Sequence, residues 1–200
     1  YTMANPVEIC NLALSHLGSS ATVSAIAPPD GSVEAGYCAR FYSMARQLSL
    51  TAFTWQFALK RVALAEVTNT STVWLYAYQK PSDCLKPFQI FKSGAVDESY
   101  GADYEMEGQV IMTNEPEAVL KYAYDVTDTT QYTPEFVSVL SFMLASYLVG
   151  PIVKGVDGAN AGAKFRERAM GEAALAGASD ANRSHSSHGE QTPSAIAARA

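Results

Sequence analysis

The apolar pattern of this chain changes period twice, and that change limits the folds it can adopt. Up to about Trp55, and again from Thr133, large apolar residues recur at helical spacing. Between these blocks, from Phe57 to Tyr124, aromatic and apolar residues alternate with polar ones, as in antiparallel strands that bury one face. The pattern predicts an α+β fold, with an antiparallel β-domain inserted into an antiparallel helical bundle.

The start of the first helix is marked by its capping residues. Asn5 suits the N-cap, Pro6 the first helical position and Glu8 the third, as in a capping box. Thr133 and Pro134 give the third helix the same kind of start. Both helices are therefore predicted to begin at these residues.

The second helix is predicted to start at Asp30 or Ser32 and to run to about Trp55. We expect its buried face to be the stripe formed by Tyr37, Phe41, Ala45, Leu48 and Ala52. Arg40 and Arg46 lie off that stripe.

These patterns divide the chain into three parts. Residues 4–56 and 133–178 are predicted to form the helical bundle, residues 57–132 the inserted β-domain, and residues 179–200 a flexible C-terminal arm. The arm is rich in Ser and has few large apolar residues, so it cannot bury enough surface to fold alone. The third helix has the widest apolar face and is expected at the centre of the bundle.

Composition excludes several classes of protein. Three cysteines without a CxxC pair argue against a disulfide scaffold or a zinc site and favour a reducing compartment. A net charge of −6 argues against sequence-independent binding to DNA phosphates. The most apolar segment, residues 142–153, is shorter than the ~20 residues of a spanning helix, so a soluble protein is expected. Charged residues make up only 17%, which suggests that apolar surface is buried against other chains.

Ser82 and Cys84 follow a proline and could be nucleophiles on a loop between strands. A nucleophilic cysteine needs a base, and outside the arm the chain offers only His16, at the end of the first helix. Ser82 lacks the GxSxG elbow. A structural turn is the favoured interpretation, and a small Cys/Ser hydrolase remains the alternative. No catalytic residue, cofactor or metal site is predicted.

An acidic stretch lies in the β-domain. From Asp97 to Asp128 there are nine acidic residues and one lysine. This stretch is either the solvated face of a sheet or a surface kept acidic for a partner or to repel a passing polyanion. The candidate interaction residues are Asp97, Glu98, Asp103, Glu105, Glu107, Glu115 and Glu117.

The order of these features resembles a known family. EICNLALSHLG leads to SVEAGYCARFYSMARQLSLTAFTWQFALKRVALA, followed by YAYQKPSDCLKP, YEMEGQVIMTN, LKYAYDVTD and TPEFVSVLSFMLASYLVGPI. In this order and spacing the chain, from about Ala4 to Ala181, resembles the tail tubular protein A-like adaptors. Those proteins are the head-to-tail connectors of short-tailed bacteriophages.

The resemblance implies a structural protein of the virion, made in the host cytoplasm. It implies a helical bundle that carries a β-domain, assembled as a twelve-fold ring between the portal protein and the tail nozzle protein, with double-stranded DNA passing through without specific binding. The stretch from Pro81 to Leu85 then corresponds to a turn between strands without a nucleophile. Trp55 and Phe57 mark the place where the second helix docks on the sheet.

The arm is assigned to the portal, because related adaptors extend their C-termini there. Thr192 and Pro193 would start a short helix, and Ile196 and Arg199 would contact the partner. A further alternative is an oligomeric binding module outside any virus.

Overall fold

The computed structural model describes residues 5–94, 101–153 and 156–183. Its helices are α1 (Pro6–His16), α2 (Val33–Ala52), α3 (Pro134–Ile152) and α4 (Val156–Arg183). Its strands are β1 (Leu59–Ala63), β2 (Glu66–Val67), β3 (Tyr76–Gln79), β4 (Cys84–Lys92), β5 (Tyr104–Glu107), β6 (Val110–Thr113) and β7 (Ala118–Tyr124). All strands lie between α2 and α3 in the chain and all pair antiparallel. The α+β class is confirmed.

Both predicted helix starts are confirmed by hydrogen bonds. At α1 the Glu8 backbone N–H donates to Asn5 Oδ1 (2.9 Å), and the Asn5 N–H donates to Glu8 Oε2 (3.0 Å), which is the capping box. At α3 the Phe136 N–H donates to Thr133 Oγ1 (3.3 Å), with Pro134 in the first turn. Each cap satisfies N–H groups that have no partner within the helix.

Helix α3 contacts each of the other three helices and has the most apolar sequence of the four. Its buried residues include Phe136, Leu140, Leu144 and Leu148, which are fully enclosed. This helix is long and apolar enough to cross a membrane by length and composition, because it has 19 residues, more than the apolar segment 142–153 that the sequence indicated. However, 56% of its most apolar window is buried inside the protein, as the core helix of a soluble protein also is.

The predicted buried face of α2 is correct only in part. The residues that α2 buries are Ala35, Cys38, Tyr42, Ala45, Ser49 and Leu50. Of the predicted stripe, only Ala45 is buried, whereas Leu48 is exposed and Tyr37 and Phe41 are half-buried. The helix has apolar residues on two neighbouring faces, and the sequence pattern does not show which one its own chain covers. It also ends at Ala52, three residues before Trp55.

The strands form two sheets that enclose a small second core. Their orders are β1-β7-β4 and β2-β3-β6-β5. The core between them holds Tyr78, Ile90, Ile111, Leu120 and Tyr122 among its buried residues. Strands β5 and β6 form a hairpin whose turn lies at residues 108–109.

Gly108 explains the position of that turn. Glu107 pairs with Val110, so the turn residues are Gly108 and Gln109. Gly108 has φ 58°, a left-handed conformation that glycine adopts without a side-chain clash.

Helix α4 extends further than predicted at its C-terminal end. It continues to Arg183, so residues 179–183, which were assigned to the flexible arm, are helical. Residues 184–200 lie outside the described part of the chain, and with them Thr192, Pro193, Ile196 and Arg199. Asp97 and Glu98 also lie outside the described residues.

Candidate interaction surfaces

The Ser82–Cys84 stretch is a structural turn, as the sequence favoured. The Cys84 N–H donates to the Pro81 carbonyl (3.0 Å), and Cys84 is the first residue of β4. Its side chain is only 5% exposed and lies in the core between the sheets, where burial raises the pKa of the thiol. A raised pKa keeps the thiol protonated at neutral pH, the opposite of what a nucleophile needs.

Asp83 anchors this turn to the neighbouring strands. Its carboxylate accepts hydrogen bonds from Lys60 Nζ (2.7 Å) and from the Tyr122 hydroxyl (2.8 Å). Burial acts to raise the pKa of Asp83, but the bonds from Lys60 and Tyr122 outweigh it and the pKa is lowered. The charged residue next to Cys84 therefore holds β1, the turn and β7 together.

His16 lies against α3 and is unsuited to act as a catalytic base. Its Nε2 is 3.0 Å from Ser141 Oγ, and its ring stacks on Phe142 with centroids 4.0 Å apart. Ser141 is fully buried and donates its own hydroxyl proton to the Ser138 carbonyl (2.7 Å). A substrate cannot reach this serine, so the His–Ser contact is structural. The two residues are 125 positions apart, and no sequence motif marks their contact.

The position of His16 predicts a loss of stability in acid. Burial lowers its pKa, and Arg168 lowers it further while Glu172 opposes the shift. The folded state thus takes up a proton less readily than the unfolded state, whose pKa is near 6.5. The free energy of unfolding should therefore fall as the pH drops below 6.5, until the folded-state pKa is passed. We expect His16→Gln to remove this part of the pH dependence of the free energy of unfolding, measured by urea unfolding at a series of pH values. The same pH dependence in both proteins would contradict this prediction.

The described acidic residues do not form one uniform surface. Asp103, Glu105, Glu107 and Glu117 are exposed, and Glu115 is half-buried. Glu105 and Glu107 point to the same side of the edge strand β5, away from the core between the sheets, because side chains alternate along a strand. Asp125, which belongs to the same acidic stretch of sequence, is instead paired with Arg46 (2.8 Å).

The loop before β3 presents two large apolar side chains to solvent. Val73 is 77% exposed and Leu75 is 70% exposed, on either side of Trp74. Trp74 lies outside the strand, because β3 begins only at Tyr76. We call residues 69–75 the tip loop. Two large apolar side chains exposed in one short loop make the tip loop a candidate contact surface.

The tip loop is held by its own hydrogen bonds. Ser71 N–H donates to Asn69 Oδ1 (2.8 Å), and Asn69 Nδ2 donates to the Trp74 carbonyl (2.7 Å). Leu75 N–H donates to Asn114 Oδ1 (3.0 Å). The apolar side chains are therefore presented in a defined arrangement.

Acidic groups surround the tip loop. Trp74 Nε1 donates to Glu105 Oε2 (2.9 Å), which ties the loop to the edge strand β5. Trp74 also lines a shallow cavity together with Asp103 and Glu115. The tip loop is thus an apolar projection with a carboxylate rim.

A second apolar surface, only partly covered, runs along α2. We call it the α2 outer stripe, and it consists of Val33, Tyr37, Phe41, Met44 and Leu48, of which Val33, Met44 and Leu48 are exposed. Their spacing of three or four residues places them on one side of the helix.

Basic side chains lie at the edge of the α2 outer stripe. Phe41 stacks on Tyr147 with centroids 5.8 Å apart, and Arg166 Nη2 donates to the Tyr147 hydroxyl (2.8 Å). Arg40 is exposed on α2 itself, one turn from Met44. The outer stripe is therefore apolar and flanked by guanidinium groups.

Both surfaces combine exposed apolar side chains with charged side chains at their edges. Across residues 5–94, 101–153 and 156–183, no group of three or more His, Cys, Asp or Glu side chains is placed to hold a metal ion. Sequence reasoning missed the tip loop, although Val73 and Leu75 beside turn-forming Asn and Ser residues are a readable signal. No protein-family model matches the chain, and no curated protein matches it.

Proposed function

We propose that this chain is a structural adaptor of a bacteriophage virion. In this proposal, copies of the chain form a ring that joins the portal protein to the tail nozzle protein and lines the channel for double-stranded DNA. The observation that carries it is the α2 outer stripe, in which Val33, Met44 and Leu48 are exposed beside the half-buried Tyr37 and Phe41. The portal protein and the tail nozzle protein are proposed as partners because the order of sequence features resembles that of the tail tubular protein A-like adaptors.

Ring assembly accounts for the uncovered apolar surfaces. A subunit in a ring buries one surface against each of two neighbours. The described residues include two candidates for these surfaces, the tip loop and the α2 outer stripe, on separate parts of the fold. A low content of charged residues, 17%, agrees with burial of surface between copies.

The acidic side chains suit a DNA channel. A conduit must not bind phosphates, and carboxylates facing the lumen repel them. Glu105 and Glu107 are exposed on the outer side of an edge strand, where they are available for this role or for docking on the nozzle.

The division of the chain into a bundle, a β-domain and an arm is part of the same proposal. Residues 4–56 and 133–178 act as a helical bundle, and residues 57–132 as the inserted β-domain. The arm beyond Arg183 extends to the portal and contacts it through Thr192, Pro193, Ile196 and Arg199. Ordering the arm costs on the order of 1–2 kcal/mol per residue, which its contacts with the portal must offset.

A docking experiment tests this function. Portal rings encoded by the same genome are mixed with the full chain or with a chain truncated after Arg183, and the mass of the complex is measured by light scattering. We expect the full chain to add a ring to the portal and the truncated chain to bind more weakly, because it lacks the arm. Circular dichroism should show equal folding of both proteins.

Two outcomes would count against the proposal. If the full chain does not bind portal rings, the adaptor function is wrong, and self-association without portal binding would favour an oligomeric binding module outside any virus. If the truncated chain docks as tightly as the full chain, the assignment of the arm to the portal is wrong.

A further inference from the structure

We propose that copies of this chain associate head to tail, with the tip loop of one copy docked on the α2 outer stripe of the next. This inference rests on the self-association contained in the proposed function and names the two surfaces that meet. Both surfaces are apolar, and they carry opposite charges at their edges.

The tip loop supplies the projecting half of the contact. Val73 and Leu75 are mostly exposed, and the bonds of Asn69, Ser71 and Asn114 hold the loop in place before any partner binds. Because the loop is already ordered, docking costs little conformational entropy.

The α2 outer stripe supplies the receiving half. Its apolar residues span four turns of the helix, and Arg40 and Arg166 stand at its edge. Arginine beside an apolar surface pairs with carboxylates, which it can bind through two parallel hydrogen bonds. The acidic rim of the tip loop, formed by Asp103, Glu105 and Glu115, offers these groups.

A stripe-to-stripe pairing of two copies is less favourable. Arg40 lies at the middle of the segment from Val33 to Leu48. Two copies of α2 that pair along this stripe, either antiparallel or parallel in register, bring one Arg40 opposite the other. Like charges at the centre of an interface oppose association. A partner surface that carries carboxylates attracts Arg40 instead of repelling it. The tip loop of a second copy of the chain carries such carboxylates.

The two halves of the contact are different surfaces, so the contact is heterologous. Each copy then uses its tip loop on one neighbour and its α2 outer stripe on the other. Such contacts form a closed ring when the rotation between copies closes, and a filament when it does not.

Variants of the full chain can test this pairing. Sedimentation velocity over a concentration series, at low salt and up to the solubility limit, measures association of the wild type, of Val73→Ser/Leu75→Ser and of Met44→Ser/Leu48→Ser. Each double variant has lost one of the two surfaces, and we expect each alone to stay monomeric. Leu175→Ser is the matched control, because Leu175 is 75% exposed but lies on neither surface, and it should associate as the wild type does.

Mixing the two double variants gives the sharpest result. Each partner retains the surface that the other has lost, so the mixture should form 1:1 dimers and no larger species. Arg40→Glu should weaken association at low salt, and mixing it with Asp103→Lys should restore part of the pairing, because the charges are exchanged. Added salt should weaken association of the wild type.

Several results would overturn the pairing. The pairing is wrong if the wild type stays monomeric at every concentration. It is also wrong if Val73→Ser/Leu75→Ser self-associates as strongly as the wild type, because that result would indicate pairing of two outer stripes. Thermal melts confirm that each variant folds. Binding to portal rings is scored separately: portal docking without this pairing leaves the adaptor function intact, and this pairing without portal docking overturns the adaptor function alone.

Discussion

Replacing Leu144 with alanine should lower the free energy of unfolding by about 2–5 kcal/mol. Leu144 is fully buried in α3, the helix that contacts the other three, and its neighbours Leu140 and Leu148 are fully buried as well. Truncation removes apolar contacts and leaves a cavity, since packed helices close around it only in part. Urea unfolding followed by circular dichroism measures the loss.

Leu175→Ala is the control for this change. Leu175 is also a leucine in a helix, but it is 75% exposed on α4, so its truncation should change the free energy of unfolding by less than about 0.5 kcal/mol. A loss below about 0.5 kcal/mol for Leu144→Ala would contradict the central position of α3 in the core.

Replacing Arg46 with methionine should lower the free energy of unfolding by about 1.5–3 kcal/mol. Arg46 Nε and Nη2 donate to the two carboxylate oxygens of Asp125 at 2.8 and 2.9 Å, which links α2 to the residue after β7. Both side chains are largely shielded from water, with exposures of 12% and 22%. The variant leaves the Asp125 carboxylate partly buried without its arginine, which is the costly part of the change.

The pH dependence of this loss provides a second check. Burial acts to raise the pKa of Asp125, but the bonds from Arg46 and Gln47 outweigh it and the pKa is lowered below its usual 3.8. The stability that this pair contributes is therefore present above about pH 3.8 and is lost as the pH falls through the folded-state pKa. The difference between wild type and Arg46→Met should shrink in that range.

Lys60→Met is the matched control for Arg46→Met. Lys60 pairs with Asp83 at 2.7 Å, but both side chains are about 40% exposed, with values of 41% and 38%. An exposed pair contributes less, so the loss should stay below about 1 kcal/mol. If Lys60→Met proves as destabilising as Arg46→Met, shielding from water is not the reason for the larger effect.

Local signals in the sequence were enough to place the ends of several elements. The capping residues Asn5 and Thr133 and the turn glycine Gly108 act within three or four residues of the chain, so their effect is readable without knowledge of the fold. The change of apolar period likewise predicted helices on both sides of a β region. The C-terminal end of α4 was missed because polar and alanine-rich residues after Ala178 continue a helix without an apolar signal.

The pairing of distant residues could not be predicted. Arg46 was placed off the apolar stripe of α2, yet it is mostly buried against Asp125, 79 positions away. The contact of His16 with Ser141 is equally remote. Such contacts depend on how helices and sheets pack, and periodicity within one element does not encode which element lies opposite.

The sequence by itself determined the α+β class, the helix caps and the turn at Ser82–Cys84, because these depend on short-range backbone and side-chain preferences. Only the tertiary structure decided which face of α2 is covered. Apolar residues on both sides of this helix would be stabilised by burial. The helical core encloses the side with Ala35, Cys38 and Tyr42, and Met44 and Leu48 remain exposed to solvent. This packing leaves the α2 outer stripe at the surface, and the proposed assembly depends on that surface.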